Sequence, residues 1–207
     1  MRSFTFLLLI LIGFNGFSQK FTKEEKSLIL AGDVKTGLPI YQTDKEEQHK
    51  VLLAQSVEIS PKDKTLPILI ERMRLALAGT DGGVGIAGPQ VGINRRVVLV
   101  QRFDKIGLPV EYFINPKIVW HSELLNKGPE GDLSIDNFRD QFYRSYSIRL
   151  EYYDLKNNKH YEMVEGFTAV IFQHEIDHLS GILISDKLQN EKDVQYKEVK
   201  VYQKNKY

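Results

Sequence analysis

Apolar residues recur at three- and four-residue spacing in two segments of the chain. The first segment, Leu66 to Ala78, carries them at Leu66, Ile70, Met73 and Leu77, and Gly79 follows it. This spacing predicts an amphipathic helix that ends at the glycine. The second predicted helix runs roughly from Phe167 to Leu179. The residues on one of its faces are Phe167, Val170, Ile171, His174 and His178.

Four other segments have the composition of β-strands. Arg96 to Gln101 and Tyr112 to Trp120 are rich in valine, isoleucine and aromatic residues. Ser147 to Tyr153 and His160 to Val164 alternate apolar and polar positions, with an Asn-Asn pair between them that predicts a hairpin turn. The sequence therefore predicts an α+β fold in which antiparallel strands pack around a central helix.

The two ends of the chain differ from this central region. Residues 1–18 combine an early arginine, an apolar run from Phe4 to Phe14 and a small-x-small pattern at Gly16 and Ser18. This arrangement predicts a secretory signal peptide and a protein exported to the periplasm or the medium, with no stable membrane anchor. We expect residues 19–65 to form an irregular N-terminal arm, residues 66–188 a catalytic domain, and residues 189–207 a polar tail.

Composition narrows the possible functions. The 28 basic and 27 acidic residues nearly cancel, so the charge balance gives no reason to expect nucleic acid as a partner. The 207 residues suit one domain. Because the chain has no cysteine, disulfides, thiolate metal ligands and thiol nucleophiles are excluded.

The strongest chemical signal is the H-E-x-x-H pattern from His174 to His178. Four residues make slightly more than one helical turn, so both imidazoles project from one face and can hold one divalent metal. Glu175 lies beside the first histidine and can reach a water on the metal. Two histidines leave the site short of a protein ligand. Downstream, Ile184 stands where one protease pattern needs histidine, and Glu198 lies in a lysine-rich tail, so the better candidates lie upstream.

Two upstream segments complete a recognisable set. One is G-V-G-I-A-G-P-Q at residues 83–90, the other is E-G-D-L-S at residues 130–134, and Q-H-E-I-D-H-L-S-G follows at residues 173–181. In order and spacing these resemble the three motifs of the peptide deformylases, over about residues 66–188. The chain departs from the family's pattern at Asp132, where the family has a metal-binding cysteine, and at Gly88 and Pro89 in the first motif.

The resemblance implies a hydrolase that removes the N-formyl group from formyl-methionyl peptides, with one divalent metal ion, Fe²⁺ or Zn²⁺. It implies metal ligands at Asp132, His174 and His178, a proton-transferring Glu175, and oxyanion donors at the Gln90 amide and the Leu133 backbone N–H. The implied substrate-binding residues are Gly83, Val84, Gly85, Arg139, Phe167 and Val170. An aspartate side chain is longer than a cysteine, but its bond to zinc is shorter, about 2.0–2.2 Å against about 2.3 Å. Aspartate can therefore reach the same ion.

Three other functions stay open at this point. One is an exported metal amidase or deacylase that acts on other N-acylated peptides. Another is a non-catalytic relative that binds peptides, although an intact Glu175 argues against a decayed site. A zinc endopeptidase is the third, and it is weakened by Ile184.

The proposed signal peptide makes a direct prediction. The mature protein should begin near Gln19 and should be found outside the cytoplasm, which N-terminal sequencing of the native protein after cell fractionation checks. Native protein that is cytosolic and still carries Met1 or Arg2 would contradict the prediction.

Overall fold

The computed structural model describes residues 19–187. Both the predicted signal peptide and nearly all of the predicted polar tail lie outside these residues. The four α-helices within them are α1 (Lys23–Leu30), α2 (Glu46–Leu52), α3 (Leu66–Ala78) and α4 (Gly166–Leu179). The strands are β1 (Gly85–Ala87), β2 (Val97–Gln101), β3 (Val110–His121), β4 (Leu125–Asp132), β5 (Ile135–Ser145), β6 (Ser147–Tyr153) and β7 (Lys159–Glu165).

Five of the strands form one antiparallel sheet in the order β1-β2-β3-β6-β7, and β4 pairs with β5 in a separate hairpin. The two faces of the large sheet pack against different helices. On β2, Val98 and Val100 join the cluster that contains the apolar residues of α4, whereas Val97 and Leu99 join the cluster that contains those of α3. Burial on both faces explains why the sequence of β2 is a continuous apolar run. The predicted fold class is confirmed.

The sequence-based prediction of an irregular arm over residues 19–65 is wrong. Helix α1 begins at a capping box, in which Thr22 accepts from the Glu25 amide and the Glu25 carboxylate accepts from the Thr22 amide. Arg95, only 3% exposed, then binds Glu25 through two hydrogen bonds of 2.6 and 2.7 Å. Polar composition suggested a loop, but the structure buries Ile29 and Leu52 from this segment. The arm is therefore part of the packed domain.

The β4–β5 hairpin was also missed. The sequence analysis gave residues 130–134 only as a motif, and Leu133 and Ser134 of this motif form the turn of the hairpin. The flanking residues contain Gly128 and Pro129 and few apolar side chains, so they lack the usual strand composition. The two strands pair through antiparallel backbone hydrogen bonds, and Phe142 on β5 is fully buried. The hairpin carries Asp132 at the end of β4.

Asn115 on β3 links the large sheet to the loop that contains Ile59. It lies where the β3–β6 register shifts, and its φ is 51°. Its side-chain amide accepts from the Ile59 N–H at 3.0 Å and donates to the Ile59 carbonyl at 2.9 Å, in a buried setting. Asparagine tolerates the left-handed region better than most residues, and its amide pairs both the backbone N–H and the backbone C=O of the buried Ile59.

We predict that Asn115→Ala lowers the free energy of unfolding by about 2–4 kcal/mol, because it leaves a buried N–H and a buried C=O unpaired. Asn115→Gly should cost about 1 kcal/mol less than alanine, since glycine adopts a positive φ without strain. Chemical denaturation of the full chain measures both. The matched control is Asn157→Gly, at an exposed turn residue with φ 67°, where we expect a change below about 0.5 kcal/mol. Equal effects at the two asparagines would contradict the role given to Asn115.

Candidate active site

Three side chains from two elements converge at one point. Asp132 ends β4, and His174 and His178 project from α4 one turn apart. Their ligand atoms all lie within 4.8 Å of one another. The Nε2 atoms of the two histidines are 3.2 Å apart, and His178 Nε2 is 3.5 Å from Asp132 Oδ2.

The donor set fits a divalent metal. Two ligand atoms at about 2.0–2.1 Å from a tetrahedral ion lie about 3.3 Å from each other, close to the two separations found here. Asp132 Oδ2 is buried and has no hydrogen-bond partner among residues 19–187. An unpaired buried carboxylate oxygen is costly, and a cation at the centre of the three ligands would satisfy it. Two imidazoles and a carboxylate suit both zinc and ferrous iron.

Each histidine is in a different electrostatic setting. His174 Nδ1 lies 3.0 Å from Glu130 Oε2, which leaves its Nε2 facing the other ligands. Burial lowers the pKa of His174, but the hydrogen bond to Glu130 and the charges of the nearby Glu175, Asp132 and Glu130 carboxylates together outweigh burial, and the pKa is raised. Burial lowers the pKa of His178 to about 4, so this imidazole is neutral near pH 7, as a metal ligand must be.

Glu130 connects the histidine to a buried arginine. Arg144 grips the Glu130 carboxylate with two hydrogen bonds of 2.7 Å and also pairs with Asp177. Burial raises the pKa of Glu130, but hydrogen bonds and charge from Arg144 and His174 together outweigh burial and lower the pKa to about 2. Lys187 completes the chain by binding Asp177 at 3.0 Å. These contacts hold the His174 ring in one orientation.

Glu175 lies next to the ligands and is 3% exposed. Burial raises its pKa to about 8, and one of its oxygens has no hydrogen-bond partner within the described part of the chain. A side chain added at Gly85 would start 2.3 Å from the Glu175 carboxylate, so the glycine is what lets β1 run this close. A carboxylate placed in this way can accept and return a proton.

A cleft of about 480 Å³ opens onto the site. Its walls come from the loop before β1, the β4–β5 turn and the first turns of α4. The sequence-predicted residues that line it are Gly83, Val84, Gly85, Gln90, Asp132, Leu133, Arg139, Phe167, Val170, His174 and Glu175. His178 lies behind them and is 1% exposed. The structure therefore brings all the predicted site residues together.

The apolar part of the cleft has a partly open edge. Val170 is buried, whereas Phe167 is 49% exposed and makes an edge contact with Phe103 at 4.9 Å between ring centroids. Arg139 lies on β5 and is exposed at the cleft wall. The cleft therefore combines an apolar surface with one positively charged side chain, that of Arg139.

The sequence analysis assigned no role to several residues that support the site. Glu130 stands within the second motif, so its position could have suggested a role. Nothing in the sequence pattern indicated a role for Arg144, because an isolated arginine in a strand is usually exposed. Gln42 comes from the arm, and its side chain donates to the Leu133 carbonyl at 2.9 Å. The adjacent Tyr41 amide donates to the Gln90 carbonyl at 2.8 Å. Neither contact is visible in a local pattern.

Comparison with known proteins agrees with this geometry. The family model for polypeptide deformylase matches residues 39–194. A peptide deformylase from Streptococcus pneumoniae is 32% identical over 194 residues, covering 84% of this chain and 92% of the relative. The Met-Ala-Ser-bound crystal structure of a class I type b peptide deformylase from Acinetobacter baumannii has a TM-score of 0.66 at 30% identity, covering 73% of this chain and 98% of that one.

A peptide deformylase from Thermotoga maritima has a TM-score of 0.65 at 32% identity, covering 72% of this chain and 96% of that one. The family match begins at residue 39, within the segment that the sequence analysis set apart as an arm. The chain belongs to the peptide deformylase family, whose members are hydrolases that act on the amide bond of N-formylated peptides.

Proposed function

We propose that this chain removes the formyl group from N-formylmethionyl peptides with one divalent metal held by Asp132, His174 and His178. The observation that carries the proposal is the convergence of these three ligands beside a buried Glu175 in one open cleft. Fe²⁺ and Zn²⁺ both suit the donor set. The carboxylate in place of the family's cysteine removes the soft thiolate and favours zinc or a harder ion.

The chemistry divides among the side chains as follows. When bound, a divalent ion polarises the formyl oxygen and lowers the pKa of a water in its coordination sphere. Glu175 accepts a proton from the attacking water and returns it to the peptide nitrogen as the C–N bond breaks. The products are formate and a free amine. Glu175 is 3% exposed and one of its oxygens has no hydrogen-bond partner within residues 19–187, so its carboxylate is free to take up a proton and return it in the cleft.

Charge that develops on the formyl oxygen needs fixed donors. The Gln90 amide and the Leu133 N–H are the proposed ones. The next peptide group, between Leu133 and Ser134, is held at both ends, since Gln42 binds its carbonyl and Asp132 Oδ1 accepts from its N–H at 2.8 Å. This support limits movement of the turn, as a preorganised donor requires.

The cleft walls suit an extended peptide with an apolar first side chain. Val84, Phe167 and Val170 form an apolar surface that can take the methionine side chain, and the glycines at 83 and 85 allow close approach of a peptide backbone. Arg139 can bind a carbonyl or a carboxylate further along the substrate. Other N-acylated peptides are the alternative substrates.

Export is part of the proposal. The charge, apolar run and cleavage pattern of residues 1–18 support it. Within residues 19–187 no helix has the length and apolar character needed to cross a bilayer. A carboxylate ligand suits an oxidising compartment, because it does not undergo the oxidation that threatens a thiolate.

We predict that Glu175→Gln keeps the metal and lowers turnover of formyl-Met peptides by about 10²–10⁴, because the amide fills the same space but cannot accept the proton. Elemental analysis and hydrolysis rates of formylated and acetylated peptides check this. The exposed Glu123→Gln serves as the control and should match wild type. Full activity in Glu175→Gln would contradict the mechanism. Hydrolysis of acetylated peptides alone would favour the deacylase alternative.

Asp132→Ala should lose the metal, because two imidazoles without a third protein ligand form a weak site. We expect metal content well below one ion per chain after dialysis, while far-UV circular dichroism stays unchanged. The exposed Asp136→Ala, from the same hairpin, should retain its metal. A full complement of metal in Asp132→Ala would show that another residue provides the third ligand.

A further inference from the structure

We infer that Gln90 positions the metal-binding carboxylate, by fixing which oxygen of Asp132 faces the ion. The inference rests on the metal site of the proposed function. It gives Gln90 a second role beside its proposed contact with the substrate, and this role exists because the ligand at position 132 is an aspartate.

The orientation of the Gln90 amide is determined by its surroundings. Gln90 is 1% exposed, and its Oε1 accepts from the Ala87 backbone N–H at 2.9 Å. An amide oxygen must face that donor, so the NH₂ group points the other way. There its Nε2 lies 3.2 Å from Asp132 Oδ1. A flipped amide would place two donors against each other at Ala87 and an oxygen against the carboxylate, and both contacts would be repulsive.

The two oxygens of Asp132 consequently differ. Oδ1 accepts from the Ser134 N–H at 2.8 Å as well as from Gln90. Oδ2 has no hydrogen-bond partner among residues 19–187 and lies 3.5 Å from His178 Nε2. The side chain is fully buried, so water does not compete for either oxygen. Oδ1 is thus occupied by two N–H groups, and Oδ2 is left as the single coordinating atom.

A thiolate would need no such arrangement. Cysteine, which the family pattern has at this position, offers one sulfur and no second atom to control. A carboxylate can bind a metal through one oxygen or two, and it rotates between these modes unless its outer oxygen is held. The Gln90 amide and the Ser134 N–H restrain the outer oxygen of Asp132 by donating hydrogen bonds to it. The contact of Gln90 should therefore matter for metal affinity with aspartate at position 132 and much less with cysteine there.

The second N–H of Gln90 remains available to substrate. Its other neighbour is the Ser134 hydroxyl, whose oxygen lies 3.4 Å from Gln90 Nε2. A contact of this length is weak, so this N–H is not committed to Ser134 and can donate to an oxyanion that lies along its direction in the cleft. One amide group can therefore position the ligand and stabilise developing charge in the same reaction.

The test is a double-mutant cycle of Gln90→Leu and Asp132→Cys in the full chain, read as zinc affinity by chelator competition under a reducing agent. With Asp132 present, Gln90→Leu should raise the zinc Kd about 10–100-fold, the usual effect of losing a group that orients a ligand. With Asp132→Cys, it should change the Kd by no more than about twofold. Gln141→Leu, at an exposed position on β5, is the matched control. The same loss of affinity in both backgrounds would overturn the inference.

A second measurement needs no cysteine variant, in case Asp132→Cys does not fold. Cobalt(II) bound to the wild type and to Gln90→Leu reports coordination number through its visible absorption. Gln90→Leu removes one of the two hydrogen bonds to Oδ1 and leaves only that of the Ser134 N–H. This weaker restraint should let the carboxylate bind through both oxygens, which raises the coordination number and weakens the absorption. An identical spectrum together with an unchanged Kd would overturn the inference. Neither measurement uses turnover, so a wild-type protein that shows the coupling but hydrolyses no formyl peptide would refute the proposed function alone.

Discussion

Burial of several carboxylates in one small volume is the constraint on which this site depends. Glu130, Asp132 and Glu175 all have buried side chains close to two imidazoles. Arg144 compensates the charge of Glu130, and the remaining two negative charges require a divalent cation or a bound proton. Burial raises the pKa of Glu175, and the neighbouring carboxylates of Asp132 and Glu130 add to the rise. The same charge balance holds with a thiolate at position 132, since cysteine and aspartate ligands each contribute one negative charge.

The N-terminal arm helps to keep this arrangement in place. Three consecutive residues of the arm bind the two segments that face the cleft. Tyr41 binds the carbonyl of Gln90, Gln42 binds that of Leu133, and the Thr43 amide donates to the Ser134 carbonyl at 3.0 Å. The turn at Leu133 and Ser134 and the segment that contains Gln90 are therefore each held by hydrogen bonds from the arm. The arm is therefore connected to the cleft by hydrogen bonds as well as packed into the domain.

The parts of the structure that the sequence predicted are those with a local signal. Helix α3 has a clear apolar stripe, and its predicted bounds of Leu66 and Ala78 are confirmed. The histidines of α4 could be placed because the helical period alone puts them on one face. The β4–β5 hairpin could not be predicted, since its strands contain Gly128 and Pro129 and gain stability from pairing rather than from composition. Helix α1 does have a local signal, the capping-box pattern of Thr22 and Glu25, which the sequence analysis did not use. Its ion pair with Arg95, a partner 70 residues away, has none.

Within the site, too, some residues have a local sequence signal and others have none. The difference depends on the chemical role of each side chain. Divalent metals are bound by a few residue types, so helical spacing was enough to propose His174 and His178 as ligands. Asp132 was proposed from the resemblance of its motif to that of the peptide deformylases. Groups that orient those ligands can be any donor at the right distance, and Arg144 and Gln42 are reached only through the fold. Gln90 belongs to both groups. Its place in a motif suggested a contact with substrate. Its contact with Asp132 forms only in the folded chain, where the 3₁₀ turn Gly88–Val91 lies beside the β4–β5 hairpin.

The exchange of cysteine for aspartate is therefore a change in the geometry of a site, with little change in its charge. A single sulfur is replaced by two oxygens, and one of these must be kept away from the ion if the ligand is to remain monodentate. The backbone N–H of Ser134 and the amide of Gln90 are both donors within reach of that outer oxygen. Because Oε1 of Gln90 is already committed to Ala87, the amide can present only N–H groups to the cleft. A fold that holds a glutamine in this orientation for substrate can consequently accept a carboxylate ligand without any additional residue to restrain it.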